Sequence, residues 1–207
     1  MTRKKLLIFP CNGNGIEALD CVDDAEVEFI GFIDDDASKA AHYPQYKIHN
    51  RSVLASYPEA YVLAVPGSPT SYPDRGKFIA SLDIEEDRFI SLVHPSAHLG
   101  RAVTIGRNCL IMAGVVLTSN VHIGNHVCIL PNTVVHHDSS VGDFTLIGCN
   151  VAVAGGVSLG ANCYIGSGSN IMNGVSIGSQ SLIGMGSNVT RNIPEKSKAY
   201  GNPARVH

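Results

Sequence analysis

The 207-residue sequence predicts a two-part chain, an α/β N-terminal Rossmann-like domain followed by an all-β parallel β-helix. Two observations predict the β-helix: an aliphatic residue stands at every sixth position from Leu99 to Val189, and glycine often follows it. The third observation is a strand, a glycine loop, a helix and a second strand ending in acids within the first 36 residues, the layout of a βαβ unit.

The repeat runs through Leu99, Ile105, Ile111, Leu117, Ile123, Ile129, Val135, Val141, Ile147, Val153, Leu159, Ile165, Ile171, Ile177, Ile183 and Val189. Neither a helix nor a flat strand has a six-residue period, whereas hexapeptide self-similarity marks a β-helix. A small or Val-sized residue often stands two positions earlier, as at Val115, Val127, Cys163 and Ser181, and Gly106, Gly124, Gly148 and Gly166 are among the glycines that follow. Each repeat gives one short strand and one turn, with the aliphatic side chain inward. Three repeats make one triangular coil, so residues eighteen apart stack at roughly 4.8 Å, the spacing of neighbouring strands.

Within the N-terminal part, Lys5 to Pro10 reads as a strand, Cys11-Asn12-Gly13-Asn14-Gly15 as a βα loop, Ile16 to Val22 as a helix and Val27 to Ile33 as a second strand closed by Asp34-Asp35-Asp36. A ligand crevice is expected at the carboxyl ends of such strands. The loop lacks the third glycine of a dinucleotide fingerprint, although Asp34 stands near the distance at which that fingerprint places an acid. A nucleotide-sugar is therefore favoured over NAD, and a tight turn without a ligand is the plain alternative. Residues 37–60 read as a polar connection, Tyr61 to Val65 as a third strand ending at Pro66-Gly67-Ser68-Pro69, Thr70 to Leu82 as a helix and Arg88 to Val93 as a fourth strand. The expected boundaries are 1–93 for this domain, 94–192 for the β-helix and 193–207 for a closing segment.

No stretch of eighteen apolar residues occurs, and the apolar run Leu6 to Phe9 is too short for a signal peptide, so a cytoplasmic protein is expected. A net charge of −3 with scattered signs offers no basic stripe for nucleic acid. The six cysteines form no CxxC pair, and free thiols are expected, those of Cys109 and Cys163 packed inward.

One turn breaks the repeat: after Val135, where a glycine or small residue belongs, the chain reads His136-His137-Asp138. Exposed turns are commonly polar, which is the structural alternative. Eighteen residues after His137 stands Gly155, followed by Gly156, so bare backbone is expected beside the imidazole. An imidazole can take a proton from an attacking amine or hydroxyl, a carboxylate can hold its tautomer, and a backbone N–H can meet an oxyanion. Cys128 and Cys149 are not placed to act as nucleophiles, so direct acyl transfer is expected.

The hexapeptide run resembles the left-handed parallel β-helix of hexapeptide-repeat acyltransferases. Val134 to Phe144 resembles more specifically the H-[DE]-x-x-[VI]-G-[DE]-F segment of bacterial nucleotide-sugar N-acetyltransferases, relatives of the UDP-4-amino-sugar acetyltransferase of bacillosamine biosynthesis and of the sialic-acid-cluster acetyltransferases. Gly201, Pro203, Ala204 and Arg205 resemble the closing G-x-P-A-[KR] motif. The resemblance implies a homotrimer with active sites at subunit interfaces, acetyl-CoA as co-substrate and no metal. It implies N-acetylation of a nucleotide-linked amino sugar, a UDP-4-amino-4,6-dideoxyhexose, in bacterial surface glycan biosynthesis. By position, His137 is the implied general base and Asp138 its partner. Gly13, Asn14, Gly15, Asp34, Asp35, Pro66, Gly67 and Ser68 are the implied substrate-binding residues, and Leu146, Gly155, Gly166, Ser167 and Met185 border acetyl-CoA. Pro10 and Asn14 depart from the family's first loop, Pro66 from the loop after its third strand, and Leu146 stands where a histidine is common. Three other readings remain: an O-acetyltransferase; a non-catalytic nucleotide-sugar-binding β-helix protein; and a γ-class carbonic anhydrase, whose close histidine pair is not reproduced here.

Overall fold

Strand β1 (Lys4–Phe9) is apolar on both faces because both are covered. It lies between β2 (Val27–Ile33) and β4 (Tyr61–Ala64), with β3 (Ile48–His49) at the outer edge, in an all-parallel sheet of order β3-β2-β1-β4. The computed structural model describes residues 3–207. On one face Leu7, Phe9, Ile33 and Val62 pack with Val53 and Leu54 of α3 (Val53–Ser56) and Ile79 of α4 (Arg75–Ala80). On the other, Leu6, Ile8, Phe32 and Leu63 meet Ala18 and Cys21, which follow α1 (Gly13–Glu17), and also the side of the β-helix. A parallel sheet needs cover on both sides, and here the second cover is a wall of the solenoid rather than a helical layer.

The solenoid is made of two-residue parallel strands at six-residue intervals, each paired with the strands eighteen residues before and after, as in Leu110↔Cys128↔Leu146 and Ile111↔Ile129↔Ile147. Three sheets of five, eight and six strands form its walls. The parallel walls and the hexapeptide pattern fit the left-handed winding that the resemblance implies. Every repeat aliphatic from Ile111 to Val189 is buried in one continuous core. Leu99 is 43% exposed because it belongs to the first coil, with no coil below it. Polar residues at the position two before the aliphatic are satisfied within the stack: the hydroxyls of Thr133, Ser139 and Thr145 donate to the carbonyls of Gly148, Ala154 and Gly160 at 2.7–2.9 Å.

Several boundaries differ from those the sequence predicts. Residues 37–60 contain β3, α2 (Lys39–His42) and α3, elements too short to leave a periodic pattern. The helix predicted from Thr70 begins at Arg75, after a 3₁₀ turn over Tyr72–Asp74 that holds Pro73. Leu92–Val93 pairs with Leu110–Ile111 and opens the first coil, so this strand of the predicted N-terminal domain belongs to the solenoid. The closing segment extends the eight-stranded wall: Lys198–Gly201 pairs with Leu182–Ile183 and folds back antiparallel through Ala204–Val206. No helix among the described residues is long and apolar enough to cross a membrane.

Candidate active site

The corner after Val134–Val135 carries the two histidines. His137 Nδ1 lies 2.8 Å from Asp138 Oδ2, and Asp138 Oδ1 accepts from Asn120 Nδ2 at 2.7 Å. A carboxylate only accepts, so Asp138 assigns the Nδ1–H tautomer and leaves the Nε2 lone pair outward. The Asn120 amide, and next His137, hold the Asp138 carboxyl below the usual carboxylate range. Both His137 and Asp138 are more than half exposed, so this pair is open to a ligand.

The stacking predicted for Gly155 is present. A Cβ there would lie 2.6 Å from His137 Nε2, so only glycine leaves the ring in place. The N–H of Gly156 is taken by the His137 carbonyl at 2.9 Å, whereas that of Gly155 makes no backbone hydrogen bond among the described residues. A proton acceptor thus stands close against a stretch of backbone that carries an unpaired N–H.

His136 faces away, onto a cavity of about 410 Å³ bounded by Ala152, Ala154, Asn170, Met172 and Thr190. Gly166, Ser167 and Met185 lie at the far edge of that same wall, with Met185 74% exposed. They and the His137 corner therefore flank one wall without meeting.

Leu146 is a correction to the acetyl-CoA set. It is 2% exposed and packs with Leu110, Met112 and Cys128 against the α/β sheet, because on that wall the residue before the inward aliphatic is the docking surface. The thiols of Cys128 and Cys21 in the same layer are pushed up by burial, to about 12 and about 11. This is consistent with packing rather than nucleophilic roles.

The second cluster lies at the carboxyl ends of β1, β2 and β4. Asp34, Asp35, Pro66, Gly67 and Ser68 line a cavity of about 350 Å³ there. Gly13, Asn14 and Gly15 lie in α1 outside its lining; Gly15 is the close-packed residue over the Pro10 carbonyl, and Asn12 caps it at 2.8 Å. Asp34 ties two loops by accepting from the N–H groups of Cys11 and Asp36, both at 2.9 Å. Asp35 makes a two-bond fork with Arg51 at 2.7 Å, and Arg51 holds its carboxyl below the usual range.

Phe9, Pro10, Asn12, Arg51, Ser71 and Phe78 complete the lining; of these the sequence marked only Pro10, as a departure from the family's first loop, and none as a binding residue. Arg51 gives no local signal, since its partner lies sixteen residues away on another loop. Asn120 could have been found, because it stands one coil before Asp138. Among the described residues, no three His, Cys, Asp or Glu side chains converge as a metal-binding group.

Fold and geometry define a class: a parallel β-helix of hexapeptide repeats, docked on a small parallel α/β unit, with a histidine–carboxylate pair on a solenoid corner. Within it, residues 102–137, 138–173 and 156–191 match the bacterial transferase hexapeptide family, in its six-repeat form. No curated protein matches the sequence. The whole chain superimposes on several solved structures. PerB from Caulobacter crescentus, in complex with CoA and GDP-perosamine, is 23% identical with a TM-score of 0.82, over 100% of this chain and 98% of that one. The acetyltransferase domain of PglB from Neisseria gonorrhoeae, in complex with acetyl coenzyme A, is 20% identical with a TM-score of 0.85, over 100% of both chains. WeeI from Acinetobacter baumannii is 21% identical with a TM-score of 0.82, again over 100% of both. The two-part architecture is therefore shared along its full length.

Proposed function

We propose that the chain is an acetyl-CoA-dependent acetyltransferase that N-acetylates the amino group of a nucleotide-linked sugar, with His137 as general base. The observation that carries this reading is the Asn120–Asp138–His137 chain, which leaves Nε2 facing the Cβ-free space at Gly155. The matched PerB structure holds CoA and GDP-perosamine and the PglB domain holds acetyl coenzyme A, which supports the same pair of ligands here. Acetyl-CoA supplies the acetyl group as a thioester. The wall between His136 and Met185, with its small and amide side chains and its cavity of about 410 Å³, suits an amide-bearing pantetheine arm.

His137 Nε2 takes the proton released as the amine nitrogen forms its bond to the acetyl carbon, and the Nδ1–H held by Asp138 stabilises the resulting imidazolium. The Gly155 N–H faces the negative charge that develops on the carbonyl oxygen, and the proton on His137 is then available to the departing thiolate. The nucleotide-sugar occupies the Rossmann-like pocket of Asp34, Asp35, Arg51 and Ser68. A UDP-4-amino-4,6-dideoxyhexose is the expected acceptor, and the active form is a cytoplasmic homotrimer serving surface glycan synthesis.

CoA release is to be measured with UDP-, dTDP- and GDP-linked amino sugars, on wild type and His137→Ala in parallel. Turnover with an amino sugar that collapses in the variant supports the reading. Near-wild-type turnover by His137→Ala removes the base, and release only with hydroxylated sugars moves the assignment to O-acetylation.

A further inference from the structure

Arg75 opens α4 with its guanidinium 0% exposed and, among the described residues, no carboxylate partner. All its bonds go to carbonyls: Nε to Phe144 at 3.0 Å, Nη2 to His126 at 2.7 Å and Nη1 to Pro66. Phe144 and His126 are equivalent positions on successive coils, and Pro66 begins the wall of the pocket. A buried cation without a counter-charge is costly. Its planar fork, however, can hold three acceptors at fixed angles in a way that lysine cannot.

The rest of the contact has the same plan. Asn108, His126, Phe144, Asn162 and Gln180 stand on one corner of five successive coils, all with φ between +53° and +61°. Residues 64–75 run along this corner. Asn108 exchanges two hydrogen bonds with the Ala64 backbone at 2.7 and 2.9 Å, Asn162 donates to the Pro73 carbonyl at 3.0 Å, and the Tyr72 hydroxyl donates to the Gln180 carbonyl at 3.2 Å. Between those anchors the Pro66–Ser71 loop turns toward the pocket, and Arg75 is the side chain that holds it from behind. Gly67, at φ +128°, sits so close that a Cβ would lie 3.0 Å from the Arg75 side chain.

We propose that Arg75 is a positioning residue for the nucleotide-sugar: by tying the Pro66 carbonyl to two coils of the β-helix, it fixes the Gly67–Ser68 wall of the pocket. This rests on the reading of that pocket as the nucleotide-sugar site. Replacing Arg75 therefore weakens nucleotide binding while the His137 corner keeps its geometry.

The test is calorimetric binding of UDP, dTDP and GDP to the full chain, together with steady-state kinetics. Arg75→Lys is expected to raise the Kd of the preferred nucleotide, and KM for its amino sugar, about tenfold or more, a small displacement in a tight site being costly. Both kcat and KM for acetyl-CoA are expected to stay within about threefold. Asn162→Gly and Tyr72→Phe loosen the same junction away from the loop and are expected to lower Tm without moving Kd. Arg75→Gln, a neutral planar donor that reaches fewer of the three carbonyls, is expected to raise Kd in the same way and serves if Arg75→Lys does not fold. Wild-type binding that Arg75→Lys or Arg75→Gln leaves unchanged, or that the two junction controls weaken equally, overturns the inference alone. A wild type that binds none of the three nucleotides overturns the pocket reading, and the inference with it.

Discussion

His137 Nδ1 and the Asp138 carboxylate, 2.8 Å apart, belong to consecutive residues. Consecutive side chains of an extended strand point apart. They meet here because Asp138 stands at φ +60°, in the left-handed region that Asn and Asp tolerate best. Asp138→Asn therefore keeps the backbone and removes the charge that selects the tautomer. It is expected to lower kcat roughly 10²-fold or more with little change in either KM, read from CoA release.

The pH behaviour of that carboxylate follows from its neighbours. The Asn120 amide and then His137 hold it below its ordinary value, so its stabilising contribution is complete above about pH 4 and is lost as pH falls through the depressed value. Asp138 thus stays ionised across the working range, and an acid limb near neutrality is not its titration. Asn120→Gly keeps the φ of +59° while deleting the largest cause of the depression. The Asp138 carboxyl should then titrate closer to the ordinary value by NMR, with kcat severalfold lower and the shape of its profile from pH 5 to 8 retained.

Gly155 is where a single methyl group should separate folding from catalysis. Its Cβ position lies 2.6 Å from His137 Nε2, so in Gly155→Ala the ring must leave its place. Because that ring is more than half exposed, moving it uncovers no core. Tm should hold within a few degrees while kcat falls roughly 10²-fold, the cost of a misplaced base.

The solenoid was legible from sequence because the inward position is the one that a coil with an eighteen-residue register cannot vary, as Ile111, Ile129 and Ile147 demonstrate. The same arithmetic brought Gly155 to His137. The residues preceding the inward ones were not legible as a group: Ala152 and Asn170 face outward and are exposed, whereas Leu110, Cys128 and Leu146 are buried under a second unit that leaves no period of its own. Arg51 and Arg75 looked like ordinary polar residues for the same reason. Their partners, Asp35 for one and three backbone carbonyls for the other, meet them only after the chain has folded.

Leu146 tests that distinction directly. Its side chain fills the layer between sheet and solenoid, so Leu146→Ala should cost about 2–5 kcal/mol of stability, the usual range for deleting a buried leucine. KM for acetyl-CoA should not move. A rise in that KM at unchanged Tm would return Leu146 to the coenzyme set.

The pocket and the histidine stand on different parts of the triangle. Residues 64–75, which carry the Pro66–Ser68 wall, lie along the corner of Asn108, His126 and Phe144, and the α/β sheet covers the wall of Leu110, Cys128 and Leu146. His137 stands on another corner, at the far side of the wall that contains Val134–Val135. A site that needs both is therefore expected to form between neighbouring subunits. Co-expressing His137→Ala with Ser68→Tyr, whose ring would fill the cavity, gives two inactive parents. In randomly mixed cyclic trimers each interface draws its histidine from one chain and its pocket from the next, so about one interface in four is intact. Activity near a quarter of wild type in the mixture, and none in either parent, is the expected result. A mixture as inactive as its parents would mean that the two halves of the site do not combine across the interface.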